Sequence, residues 1–329
     1  MTIEFLEPIE RAWRGMARIL FAPFKLEKWI VLGFAAWLAG LAGGNNGGVG
    51  WNLGNPWDDD DSASILEEVV EDAAVPAAFQ SAQVESVEDA VAGAFDWLPF
   101  AAGCLVFLIP VVIALVVLML WLSSRGIFIY LDGVVWNRAQ IVEPWKRFRR
   151  LGDSLFLWRV GFLVVVLAGV VIGAVGIILA VHRDFGWVLV APIVALLAFW
   201  AVGAAVVDVL LRHFVVPVMY RNDIKASVAW SRFLPTLRAY PLQFLGYLAL
   251  LFILWILAGL AIALAGFLTC CVGFVLLAIP YVGTVLLLPL LTFLRLFSLE
   301  FLRQFGPELD LLAGSPTPPP PGPEAALPA

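Results

Sequence analysis

Val160-Gly-Phe-Leu-Val-Val-Val-Leu-Ala-Gly-Val-Val-Ile-Gly-Ala-Val-Gly-Ile-Ile-Leu-Ala-Val181 runs without one polar side chain between Arg159 and the pair His182-Arg183. A bilayer core of roughly 30 Å needs about 20 apolar helical residues, because each adds ~1.5 Å. A helix apolar all round has no face to offer water, so this stretch predicts a transmembrane span. Working outward, comparable stretches at about 29–44, 97–122, 187–207, 242–267 and 271–294 bring the expected number of spans to six, the first being short. The fold class expected is all-α, a polytopic membrane helix bundle over residues 1–313.

The composition agrees. Of 329 residues, 62% are hydrophobic and 14% charged, with a mean hydropathy of +0.95, whereas soluble domains are about a quarter charged. The net charge of -6 hides a separation along the chain. Arg11, Arg14, Arg18, Lys25 and Lys28 precede the first span. Arg125, Arg138, Lys146, Arg147, Arg149, Arg150 and Arg159 surround the second-to-third connection, and Arg212, Arg221, Lys225, Arg232 and Arg238 the fourth-to-fifth. Arg295 and Arg303 come last, so nineteen of the 20 basic residues share one face and only Arg183 opposes them. Cytoplasmic flanks accumulate Lys and Arg, which assigns that face, and both termini, to the cytoplasm. The connection 45–96 carries twelve carboxylates and no Lys or Arg, and is expected outside the cell membrane. The interleaved Glu4, Glu7, Glu10, Arg11 and Arg14 do not form a cleavable signal peptide, so the N-terminus is expected to remain.

The two cytoplasmic connections resemble each other. Asn137, Trp145, Arg147 and Phe148 return as Asn222, Trp230, Arg232 and Phe233. Each copy lies between spans, predicting a repeat of one amphipathic helix and one transmembrane hairpin. The N-terminus supplies a diverged third copy: Leu6, Ile9, Trp13, Met16 and Leu20 form an apolar stripe opposite Glu4, Glu7, Arg11, Arg14 and Arg18, as in a helix lying in a membrane interface.

Several segments have modest chemical content. The Gly- and Trp-rich stretch from Gly43 to Trp57 predicts irregular backbone at the membrane surface. Asp58 to Asp61 lack the spacing of a calcium loop and read as the capped N-terminus of a helix over 62–74, with a second short helix near 84–95. Residues 314–329 form a Pro-rich, disordered cytoplasmic tail. Cys104, Cys270 and Cys271 read as small core residues, and no Cys/His spacing predicts a metal.

No phosphate-binding Gly loop, nucleophile elbow or His-Glu-x-x-His is present, so no catalytic residue and no cofactor is expected. Asp208 with Arg212, and Glu300 with Arg303, are spaced for local ion pairs. Pro280 and Pro289 should bend the sixth span and free carbonyls beside Tyr281 and Thr284, making Pro280, Tyr281 and Thr284 the cavity candidates. Trp145, Arg147, Phe148, Arg149, Arg150, Trp230, Arg232 and Phe233 are the headgroup-binding candidates: guanidinium groups for anionic headgroups and rings for the interface.

Pro144 to Phe148, Val215 to Tyr220, Ile279 to Thr284 and the Gln-Phe-Gly-Pro ending at Gln304 to Pro307 resemble an uncharacterised family of bacterial multi-pass proteins. In layout that family is similar to the membrane domain of some bacterial glycerophosphodiester phosphodiesterases. The resemblance implies a bacterial inner-membrane location and no known activity; with no hydrolase domain expected on this chain, phosphodiesterase chemistry is not carried over. The expected function is therefore non-enzymatic: binding or moving a lipid or amphiphile, or scaffolding envelope partners. A small-solute transporter with its site near the kinked sixth span is the alternative. Membrane lipids, an envelope protein or a second copy of the chain are the expected partners; nucleic acid is not.

Overall fold

A computed structural model describes residues 4, 6–41, 77–183, 187–269, 272–306 and 309–312, the side chains of the third helix from Val106 onward. The chain divides into two compact units, Gly50–Leu118 and the remainder, Met1–Val49 with Met119–Ala329. Among the described residues every regular element is helical: α1 (Leu6–Phe21), α2 (Leu26–Gly40), α3 (Ala77–Trp136), α4 (Val142–Arg147), α5 (Arg149–His182) and α6 (Trp187–Leu210). A π-helical turn at Leu211–Val215 links α6 to α7 (Val216–Asn222). Then follow α8 (Ala226–Ala239), α9 (Pro241–Leu268), α10 (Val272–Ala278), α11 (Pro280–Leu286) and α12 (Leu288–Arg303).

Among the described residues four helical stretches are long and apolar enough to cross a bilayer: Val106–Trp136, Arg149–His182, Val188–Asn222 and Pro241–Leu268. A fifth is reached if α11 and α12, which meet at 62°, count as one broken span. Four of the six expected spans thus lie within continuous helices. The first does not reach its expected length in the described residues: α2 has 15 residues, about 22 Å of rise, and the glycines after it lie outside the described residues. The sixth is not one helix but three. Pro280 and Pro289 lack the N–H that would continue the ladder, and each opens a new helix. Ile279, pushed out of the helical region by the following proline, is extended at φ -74, ψ 113.

The short external helix expected near 84–95 is also corrected, because α3 runs unbroken from Ala77 and Asp96 does not end it. The expected helix over 62–74, Asp58 to Asp61, the Gly-rich stretch, residues 314–329, Cys270, Cys271 and the side chain of Cys104 lie outside the described residues.

The core sits at the basic end of the spans. Phe214 packs against Phe233 (ring centroids 5.5 Å), Phe244 (5.1 Å), Tyr247 (4.9 Å) and Phe301 (6.0 Å). In the π turn all five consecutive side chains are buried, an arrangement that a straight amphipathic α-helix does not give. Against α12 lies α1, burying Pro8, Ala12, Met16, Ile19 and Leu20. Of the expected apolar stripe, Met16 and Leu20 belong to this face, while Leu6 and Trp13 remain exposed. The helices approach closely: at Gly15 a Cβ would already sit 3.1 Å from Leu296 Cδ1, and Trp13 meets Phe293 edge-on at 6.1 Å. Glu4 N–H donates to Gln304 Oε1 and Gln304 Nε2 donates to the Glu4 carbonyl, both at 2.9 Å, fastening the end of the pair.

Candidate functional site

The first basic connection leaves α3 through Asn137, whose φ of 53° ends the helix. Lys28 donates to the Asn137 side chain and to the Ile19 carbonyl, tying α1, α2 and this turn together. Burial, reinforced by the charge of Lys25, lowers the pKa of that ammonium. Beyond the turn, Trp145 meets Trp121 edge-on at 6.0 Å. The Arg125 guanidinium lies over both rings, 4.2 and 5.4 Å from their centroids. Arg147, Arg149 and Arg150 are exposed. Phe148 is buried against Phe128 and Tyr220.

The second connection also starts with a left-handed residue, Asp223 at φ 50°. On α8, Trp230 stacks on Trp158 of α5 at 5.6 Å, and Ala226 N–H donates to Ser154 Oγ at 3.1 Å, so α5 joins the two connections. Phe233 is fully buried, while Arg232 is exposed and lines an open groove of about 650 Å³ with Asn222, Thr236 and Phe305. Of the headgroup candidates, then, the four arginines face out and the tryptophans are half-buried. Phe148 and Phe233 belong to the core and are not interface anchors. On α8 the reason is helical phase, since Phe233 is three residues from Trp230 and continues the inward face, whereas Phe148 sits at the turn between α4 and α5.

The ends of α3 and α7 are locked by a polar knot. Asp132, fully buried, accepts from Arg138 Nε at 2.9 Å and from the Tyr220 hydroxyl at 2.7 Å, and Trp136 Nε1 donates to that hydroxyl at 3.0 Å. Deeper lies a second polar layer. Arg159, Arg212, His213 and Arg295 are all buried. Arg159 donates to Ser123 and Ser124 (3.2 and 3.4 Å), Arg295 to the Arg212 carbonyl (2.7 Å), and Arg212 pairs with Asp208 at 2.8 Å, as its spacing predicted. The Glu300–Arg303 pair likewise forms, at 3.4 Å. Tyr247 Oη is 2.8 Å from His213 Nδ1, and Tyr130 Oη is 3.2 Å from Thr292 Oγ1.

The cavity candidates are engaged otherwise. Tyr281 donates to the Ile30 carbonyl and Thr284, fully buried, to the Pro280 carbonyl, each at 2.9 Å. These bonds hold α11 to α2 and close its first turn. Among the described residues no group of three or more His, Cys, Asp or Glu is placed to hold a metal.

The profile of DUF7544, a family of unknown function, matches residues 4–288. The chain belongs to this family. No curated protein and no solved structure matches it, and the family match carries no link to phosphodiesterases. Residues 4–288 of this DUF7544 protein include both basic connections, the Asp132 knot and the π turn, while Arg295 lies beyond them. Sequence reasoning passed over Arg125, Asp132, Arg159, His213 and Arg295. Its only signal was position, since each stands toward the basic end of a span; the same position serves an arginine that merely orients a loop.

Proposed function

We propose that this DUF7544 member is a non-enzymatic, bacterial inner-membrane protein that binds an anionic lipid or amphiphile at its two basic-aromatic connections. The observation that carries this reading is the split within each connection: Phe148 and Phe233 are buried, yet Arg147, Arg149, Arg150 and Arg232 project outward beside half-buried tryptophans. Outward guanidinium groups beside indoles, on segments anchored by buried phenylalanines, suit a phosphate headgroup and the interface that bears it. The finer architecture belongs to the same proposal: six spans with the first completed beyond α2, both termini cytoplasmic, an acidic external connection, and three units of interfacial helix plus hairpin. Left-handed residues opening both connections favour the repeat.

A transporter is the second reading, favoured by the 62° break between α11 and α12, since interrupted helices line many transport sites. The inward bonding of Tyr281 and Thr284 argues against it.

Native mass spectrometry of the protein extracted with its surrounding membrane tests the first reading, comparing wild type with Arg147→Ala/Arg232→Ala. The expected result is a stoichiometric anionic lipid or amphiphile that the double variant loses. Only bulk lipid, unchanged by the substitutions, contradicts the proposal, and a co-purifying protein redirects it toward a scaffold.

A further inference from the structure

Inside the basic end, Tyr130, His213 and Arg295 line a cavity of about 10 Å³ whose remaining walls are Ala36, Ala39, Ile127 and Leu291. That is room for about one water-sized sphere. Arg295 is 4% exposed, and its Nε and Nη2 have no hydrogen-bond partner. Arg159, 5% exposed, leaves its own Nε and Nη2 likewise unpartnered. Among the described residues Arg295 forms no ion pair with a carboxylate, and its Nη1 donates to the Arg212 carbonyl. Asp208 reaches Arg159 and Arg212 but offsets only one positive charge. The layer therefore holds more buried positive charge than its described carboxylate neutralises, a costly state unless a counter-charge joins it.

The lining is also one-sided in its chemistry. Guanidinium can only donate. Tyr247 Oη and His213 Nδ1 share one hydrogen bond at 2.8 Å; in the tautomer that carries its hydrogen on Nε2, the neutral imidazole offers a donor there. Tyr130 can turn its hydroxyl hydrogen to the cavity while Thr292 donates to its oxygen. Donors and methyl groups around a one-atom space suit a monatomic anion. A water molecule could accept at most two of these bonds and would leave the charge uncompensated.

We infer that this cavity is a binding site for a small inorganic monovalent anion, with Arg295 as its charged ligand and Tyr130 and His213 as neutral donors. The occupant bridges α3, the π turn and α12, and stabilises their association. The site is separate from the exposed arginines of the proposed headgroup surface, so either stands without the other.

Chloride is the probe. Thermal unfolding of the full chain in nanodiscs is followed while sodium gluconate is exchanged for sodium chloride at constant ionic strength. The expected result is an upward, saturable shift in Tm, reproduced by bromide, because a ligand bound only to the folded state stabilises it. Arg295→Gln should abolish the chloride dependence. In case that variant does not fold, the ³⁵Cl linewidth over the wild-type protein gives an independent reading. Excess broadening reversed by bromide is expected. Equal Tm values in chloride and gluconate, or no displaceable broadening, overturn the site and leave a water-filled cavity.

Discussion

The two ends of the same helices are built on different rules. Along the apolar windows of the four long spans, between 0 and 6% of residues are buried inside the protein: Ile172, Leu196 and Leu260 are exposed. At the basic end, Phe128, Phe214, Phe297 and Leu131 are fully buried, interleaved with Asp132, Arg159 and Arg295. A bilayer asks a helix surface only to be apolar, and many sequences satisfy that. The basic end packs side chain against side chain and matches polar partners one to one, which few sequences satisfy. The contrast places the fold's specificity at the basic end.

The strongest way to break this comparison is Gly126→Leu. An added Cβ at Gly126 would stand 2.7 Å from the Leu38 carbonyl carbon and the Ala39 nitrogen, and backbone cannot swing aside as a side chain can. Overpacking costs about 1–3 kcal/mol where neighbours adjust, so the expectation here is loss of the folded protein in detergent, read by size-exclusion and thermal unfolding. Gly161→Leu, at a position with open space, should fold normally.

Next comes Phe214→Ala, which removes the ring shared by Phe233, Phe244, Tyr247 and Phe301. A loss of about 3–5 kcal/mol is expected, against a change within about 0.5 kcal/mol for exposed Ile172→Ala. Equal losses would erase the distinction between the two ends.

Asp132→Asn tests the polar part of the packed end. The substitution leaves the Tyr220 hydroxyl and Arg138 with a weaker acceptor, but Arg138 is part-exposed and can turn to water. A loss of about 1–3 kcal/mol is expected. Glu7→Gln breaks the exposed pair with Arg11 and should cost under about 1 kcal/mol. If Glu7→Gln proves the more damaging, the knot is not what fastens α3 to α7.

Four spans were legible because uninterrupted apolar length is a property of sequence alone, as Val160 to Val181 illustrates. The breaks at Ile279 and Leu287 were half legible: a proline announces a missing donor, but whether a helix bends or restarts depends on its neighbours. Along α1 the apolar stripe was legible, and its Met16 and Leu20 are buried, but the close approach that also buries Ala12 and brings Gly15 to Leu296 was not. At the candidate site, the outward arginines could be located by counting charge. The buried ones could not, because Arg147 and Arg159 count equally toward topology although one faces out and the other is enclosed.

Carbene photolabelling from within the lipid phase, mapped by peptide mass spectrometry on the protein in nanodiscs, measures the difference between the two ends directly. Adducts are expected along Val164 to Ile178, Val194 to Val202 and Phe252 to Leu264, with none at Phe128, Phe214 or Phe297. Adducts on those buried phenylalanines, or unlabelled spans whose surfaces are covered by other protein, would contradict the account.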